Sequence, residues 1–139
     1  MSRTIIAVAL LLTLLLSCED SLVPDCGECS ATSPETATLT ISFRNPDYVP
    51  TNPKVTLYEG AIEDSIILVQ YIIEDPYSYV SFDALLYKDY TATLEFILDG
   101  RTYITTDGAF PQVGYDETSC DSPCYFVFDN NLDLRLRYN

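Results

Sequence analysis

A strict alternation begins at Ala37: Ala37, Leu39, Ile41 and Phe43 are apolar, while Thr38, Thr40 and Ser42 between them are polar. That period of two fits a β-strand with one buried face and no helix, whose apolar positions recur every three or four residues. Asn45-Pro46-Asp47 ends the run, since Pro46 cannot donate to a ladder. Similar runs follow: Val55 and Leu57 alternate with Thr56 and Tyr58, Tyr77 to Phe82 alternates, and so does Tyr90 to Ile97. Asp99-Gly100 is a strong hairpin signal leading into Arg101 to Thr106. Ile66 to Ile73, interrupted only by Gln70, reads as a central strand buried on both sides. Tyr125 to Phe128 and Leu132 to Tyr138 close the chain, with Leu132, Leu134 and Leu136 inward and Asp133, Arg135 and Arg137 outward. Asp83 to Lys88 is at most a short helical crossover. The expectation is all-β: a two-sheet sandwich of about seven to eight mostly antiparallel strands.

The alternation does not reach the amino-terminal end. Arg3 precedes an unbroken apolar run from Ile5 to Leu16, 12 residues that include Thr13, followed by Ser17 and Cys18. The run has the length of a signal-peptide core and is too short to cross a bilayer as a helix. Leu15-Leu16-Ser17-Cys18 resembles the lipobox of bacterial lipoproteins, although Leu16 stands where a smaller residue is commoner. The resemblance implies cleavage before Cys18, acylation of Cys18 and an outer-membrane anchor facing the periplasm or the cell surface. Three segments follow: residues 1–17 as signal peptide, 18–36 as a flexible acidic tether rich in Ser, Pro, Thr and acids, and 37–139 as the β-sandwich. The acids Glu19 and Asp20 resemble the export signal of surface lipoproteins, and they equally suit a solvated tether.

Without residues 1–17 the chain keeps 122 residues, enough for one domain. Arg3 is the only charge removed, so six of the seven basic residues remain against 21 acidic ones, a net charge of −15. Such a charge serves solubility and repels nucleic acid and anionic headgroups, so lipid rather than electrostatics must hold the chain to a membrane.

Cys26, Cys29, Cys120 and Cys124 are an even number in a chain read as exported, which argues for disulfides. Pairing within Cys26/Cys29 or Cys120/Cys124 closes tiny loops, whereas bridges between the two clusters close loops of about 90–100 residues and constrain the unfolded chain far more. Bridges between the clusters are therefore expected; which cysteine meets which stays open. A Cys26–Cys29 redox pair is disfavoured by Asp25 and Glu28, which raise the thiol pKa, and a zinc site is disfavoured by the oxidising compartment.

Phe82-Asp83-Ala84-Leu85-Leu86-Tyr87-Lys88-Asp89-Tyr90 resembles the signature of transthyretin-like sandwiches, including those related to carboxypeptidase regulatory domains. Phe82, Leu85 and Tyr90 fall in register, and Val55-Thr56-Leu57-Tyr58 is similar to the preceding strand. Lys88 replaces the expected Gly, so the turn must differ. An Ig-like sandwich reads almost as well. The resemblance implies an adhesive, stalk or accessory module without chemistry of its own.

No histidine is present, which removes the usual general base and the commonest metal ligand. No nucleophile, phosphate-binding or dinucleotide motif occurs, so the chain is read as no enzyme, with neither cofactor nor metal. Asp129-Asn130-Asn131-Leu132-Asp133 starts like a calcium loop, yet Leu134 occupies the position of the sharp-turn Gly. Asp116, Glu117 and Asp121 could still sit together at a sandwich edge, where a solvated acidic loop is the plainer reading. Of the 11 tyrosines, Tyr77, Tyr79, Tyr87 and Tyr115 lie near expected loops or strand ends. Exposed, they could grip a protein partner or stack on a sugar ring, and either partner is an expectation here.

Overall fold

The alternation from Ala37 becomes the middle strand of a sheet. In a computed structural model, which describes residues 23–43, 51–74 and 79–135, nine strands occur among those residues. They are β1 Thr36–Ser42, β2 Thr51–Glu59, β3 Ile67–Ile72, β4 Tyr79–Leu85, β5 Tyr90–Leu98, β6 Arg101–Ala109, β7 Gln112–Asp116, β8 Cys124–Phe128 and β9 Asn131–Asp133. A 3-10 turn, Ile62–Asp64, precedes β3. The fold is all-β, as expected.

Three strands form one sheet in the order β4-β1-β9, and four form a second in the order β3-β2-β5-β6. All pairings are antiparallel except β1 with β9, where Ile41 faces Leu132 in a parallel register. The two sheets meet as a sandwich over a single core. Leu39, Ile41, Phe43, Leu132 and Leu134 face it from one side, and Val55, Leu57, Ala92, Leu94 and Phe96 from the other. Burying one such large aliphatic or aromatic side chain contributes about 1.5–3 kcal/mol, so this layer dominates the stability of the body. Asp99 and Gly100 both take positive φ, 50° and 73°, as a two-residue hairpin between β5 and β6 requires. On the outer face of the larger sheet, Thr56 is almost fully covered, and its hydroxyl accepts a bond from Gln70 Nε2 at 2.9 Å. A third unit, the two-stranded ribbon β7-β8, stands beside the sandwich.

Three local expectations are corrected. The run Ile66 to Ile73 is not a central strand buried on both sides: β3 is an edge strand paired with β2 alone, and Ile67, Leu68 and Ile72 are 48–62% exposed. An unbroken apolar run does not fix how many neighbours a strand has. The inner places go to β1, β2 and β5. Asp83 to Lys88 holds no helical crossover; Asp83–Leu85 complete β4, and the chain turns at Tyr87, whose φ is 59°. Among the described residues the closing strand has only Asn131–Asp133 in the ladder, and Leu134 and Arg135 lie past its end, although Leu132 and Leu134 are buried as read. The ribbon strand β7 was not foreseen. Cys18, the signal-peptide segment, Tyr77 and residues 136–139 lie outside the described residues.

Candidate functional site

Two short turns aim the cysteines at one another. In the first, the Asp25 carboxylate accepts the Gly27 amide at 2.9 Å and the Asp25 carbonyl accepts the Glu28 amide at 2.9 Å, so Cys26 and Cys29 project from one loop. In the second, the Asp116 carboxylate accepts the Thr118 amide at 2.9 Å, the Ser119 amide at 2.6 Å and the Ser119 hydroxyl at 3.1 Å. These bonds, above all from the Ser119 amide, hold the Asp116 carboxyl below the usual carboxylate range. Between the loops run two bridges, Cys26–Cys120 and Cys29–Cys124, with Cα atoms 5.6 and 5.2 Å apart. Cys124 is buried and Cys26 exposed. Ser30 and Tyr125 exchange backbone hydrogen bonds of 2.9 and 2.8 Å, laying the segment after the bridges along β8.

The pairing left open by the sequence is thus settled between the clusters. The Cys29 and Cys120 sulfurs approach to 3.6 Å across the two bridges, and those of Cys29, Cys120 and Cys124 lie within 4.8 Å of one another. Three thiolates gathered so closely could hold a thiophilic cation, but in the bridged protein all three sulfurs are spent in the disulfides.

The structure scatters the singled-out tyrosines. Tyr79, Tyr87 and Tyr115 are 69%, 60% and 51% exposed. Tyr79 opens β4 and Tyr87 lies in the turn just beyond its far end, a strand of about 20 Å lying between them. Tyr115 sits on the ribbon, tilted by 42° over Tyr125 with ring centroids 4.8 Å apart. Among the described residues no two of these rings lie side by side as a flat platform.

Leu85 and Tyr90 come together at the β4–β5 turn, whereas Phe82 lies within β4 opposite Leu39, its ring beside Tyr71. The Tyr90 hydroxyl accepts the Leu85 amide at 2.9 Å and donates to the Leu85 carbonyl at 3.2 Å, while the ring is buried in the core. Tyr90 locks the corner from below. Lys88, where the motif has Gly, reaches Glu59 at 2.6 Å; that hydrogen bond raises its pKa. The turn's positive φ falls instead on Tyr87.

Sequence reasoning did not find the groove of about 480 Å³ at this end of the sandwich. It is lined by Gly60, Asp64, Asp89, Tyr90, Phe110 and Asp129 among others. Two of its carboxylates serve the backbone: Asp64 accepts the Ala61 amide at 3.1 Å, and Asp129 the Phe110 amide at 3.2 Å. The one clue was the clustering of Asp and Gly at strand ends, which also marks ordinary turns. Asp116 belongs to the bridged loop, and Glu117 and Asp121 are exposed there. Asn130 and Asp133 are likewise engaged, with the Thr38 carbonyl and with Arg135.

Comparison with protein-family models, with curated proteins and with solved structures finds no match to this chain.

Proposed function

We propose that the chain is an exported lipoprotein, anchored through Cys18 at the outer membrane, whose β-sandwich docks a protein partner and carries no chemistry of its own. The observation that carries this reading is the use of the cysteines. Four of five are spent in two long-range bridges, the economy of a chain that folds in an oxidising compartment, and the fifth is the one that follows the apolar leader. The mature chain is strongly acidic, which suits solubility and argues against binding to anionic lipid or nucleic acid. Stable anchoring requires more than one acyl chain, as the lipobox resemblance implies. The transthyretin-like kinship of the sandwich belongs to the same reading, supported by the meeting of Leu85 and Tyr90 at the β4–β5 corner.

Metabolic labelling with palmitate and intact mass of the native protein test the anchor. A labelled chain beginning at Cys18 is expected, and Cys18→Ala should lose both label and membrane retention. An uncleaved, unlabelled chain in the cytosol would refute the proposal.

A further inference from the structure

A sheet edge presents unpaired amides and carbonyls to any passing strand, and proteins blunt such edges with charge, proline or covering chain. The described edges differ in this respect. β6 is stitched to the segment at β9: the Thr105 hydroxyl donates to the Leu134 carbonyl at 2.7 Å, and Asp107 accepts the Asp133 amide at 2.7 Å. β4 carries Asp83 within the strand, and β7 ends in Asp116. β3, by contrast, reads Ile-Leu-Val-Gln-Tyr-Ile, with neither charge nor proline. Its Ile67, Leu68 and Ile72 are about half exposed or more.

The orientation of its backbone follows from one bond. The Ile73 amide donates to the Pro53 carbonyl at 2.7 Å, towards β2. In an antiparallel ladder successive residues point their peptide groups to opposite sides, so those of Gln70 and Ile72 point outward. Acids bracket this open stretch: Glu63 and Asp64 precede it and Glu74 follows, all exposed. If two copies paired antiparallel through β3, Glu74 of one would stand beside Glu63 and Asp64 of the other. Like charges so placed oppose self-pairing and leave the edge to a partner of opposite sign.

We propose that β3 is an acceptor edge for an extended segment of a partner protein, apolar at alternate positions and carrying Lys or Arg at both ends. This deepens the docking reading above and rests on it. The segment would add a fifth strand to the larger sheet, its backbone pairing with Gln70 and Ile72 and its basic ends facing Glu63, Asp64 and Glu74.

The test uses the soluble chain from Cys18 onward, bridges intact, and a fluorescein-labelled peptide KRVTVTVRK. Expected are saturable binding, slower amide exchange at Gln70 and Ile72, and weakening as salt rises. EEVTVTVEE should bind about tenfold more weakly. Ile72→Pro removes an outward donor without touching the bonds to β2 and should abolish binding; Leu68→Lys, which puts a charge on the edge, should weaken it with the fold unchanged. Glu63→Lys with Glu74→Lys should reverse the preference between the two peptides. Equal binding of both peptides, binding unaffected by Ile72→Pro and Leu68→Lys, or protection of Gln70 that rises with protein concentration alone overturns the inference. A partner cross-linked through β4 or β7 but not β3 overturns it too, and leaves the docking reading standing. A missing lipid on Cys18 strikes the anchoring and leaves the peptide result untouched.

Discussion

The sandwich body and the β7-β8 ribbon are held by different means. In the body Leu39, Ile41, Leu94, Phe96, Leu132 and Leu134 are at most 1–2% exposed, and apolar burial does the work. In the ribbon most side chains are only partly covered, and Cys124 is its buried residue. Two short strands cannot shield a core of their own, so covalent bonds substitute for burial. The two regions are still not independent. The bridges join residues 26 and 29 to 120 and 124, so the loop they close contains β1 to β7 entirely. The staple sits on the ribbon and constrains the unfolded form of the body.

Breaking the staple is the severest way to probe this coupling. The sequence separations are 94 and 95 residues, and a lone bridge closing such a loop stabilises by about 4.7 kcal/mol in the loop-entropy relation. With one bridge in place the other closes a ring of only a few residues, worth about 2.5 kcal/mol by the same relation. Cys29→Ala/Cys124→Ala should therefore cost about 2.5 kcal/mol, and removing all four cysteines about 7 kcal/mol, close to the whole stability of a small domain. Urea unfolding of oxidised, half-bridged and reduced protein measures both. Equal costs for the first and the second bridge would show that the ribbon, not the unfolded chain, is what the staple stabilises.

Phe96→Ala comes next. Its ring is fully buried and stacked on Tyr103 with centroids 5.7 Å apart, so truncation should cost about 3–5 kcal/mol and lower every probe of the body together. Phe128→Ala on the ribbon, where coverage is partial, should cost about 1–2 kcal/mol at most. Similar losses at the two positions would abolish the distinction between the regions.

The body was the legible part. Alternation at Ala37 to Phe43 and Tyr90 to Ile97 marks β1 and β5 because each has one face in the core and one outside. Ile66 to Ile73 is the place where sequence and structure part, because an apolar run does not require burial, and β3 exposes Ile67, Leu68 and Ile72 at an edge. The ribbon was half legible. Its strand β7, Gln112–Asp116, has Gly114 at its centre and no apolar alternation strong enough to stand out. The cysteine clusters announced a cross-link, but three connectivities fit four cysteines, and which sulfurs meet is visible only once the loops carrying the Asp25 and Asp116 turns are folded side by side. The Tyr90 hydroxyl, bonded to the Leu85 backbone, ties the end of β4 to the start of β5.

Gly114→Ala sharpens the comparison at smaller scale. A Cβ there would lie 2.8 Å from Phe126 Cε1 and Cε2, because the Phe126 ring covers the glycine opposite it. The ring must swing aside, at a cost of about 1–2 kcal/mol. Faster amide exchange confined to β7 and β8 is expected; acceleration in β5 as well would mean the ribbon is continuous with the core.

The smallest effect belongs to the body's own margin. Tyr71 packs beside Phe82, ring centroids 6.0 Å apart, and its hydroxyl is buried without a hydrogen-bond partner. Tyr71→Phe removes an unpaired polar group and should be neutral or stabilising by up to about 1 kcal/mol, where most core changes destabilise. Burial pushes the Tyr71 pKa from 10.0 up to about 12, so the folded protein holds this proton more tightly than the unfolded chain. The stability associated with that proton is complete below pH 10 and lost between pH 10 and pH 12. Other tyrosines titrate in the same window, so the diagnostic quantity is the difference between the two proteins. Tyr71→Phe should gain on the parent as pH rises through that range, and a constant gap would mean that the Tyr71 hydroxyl meets water after all.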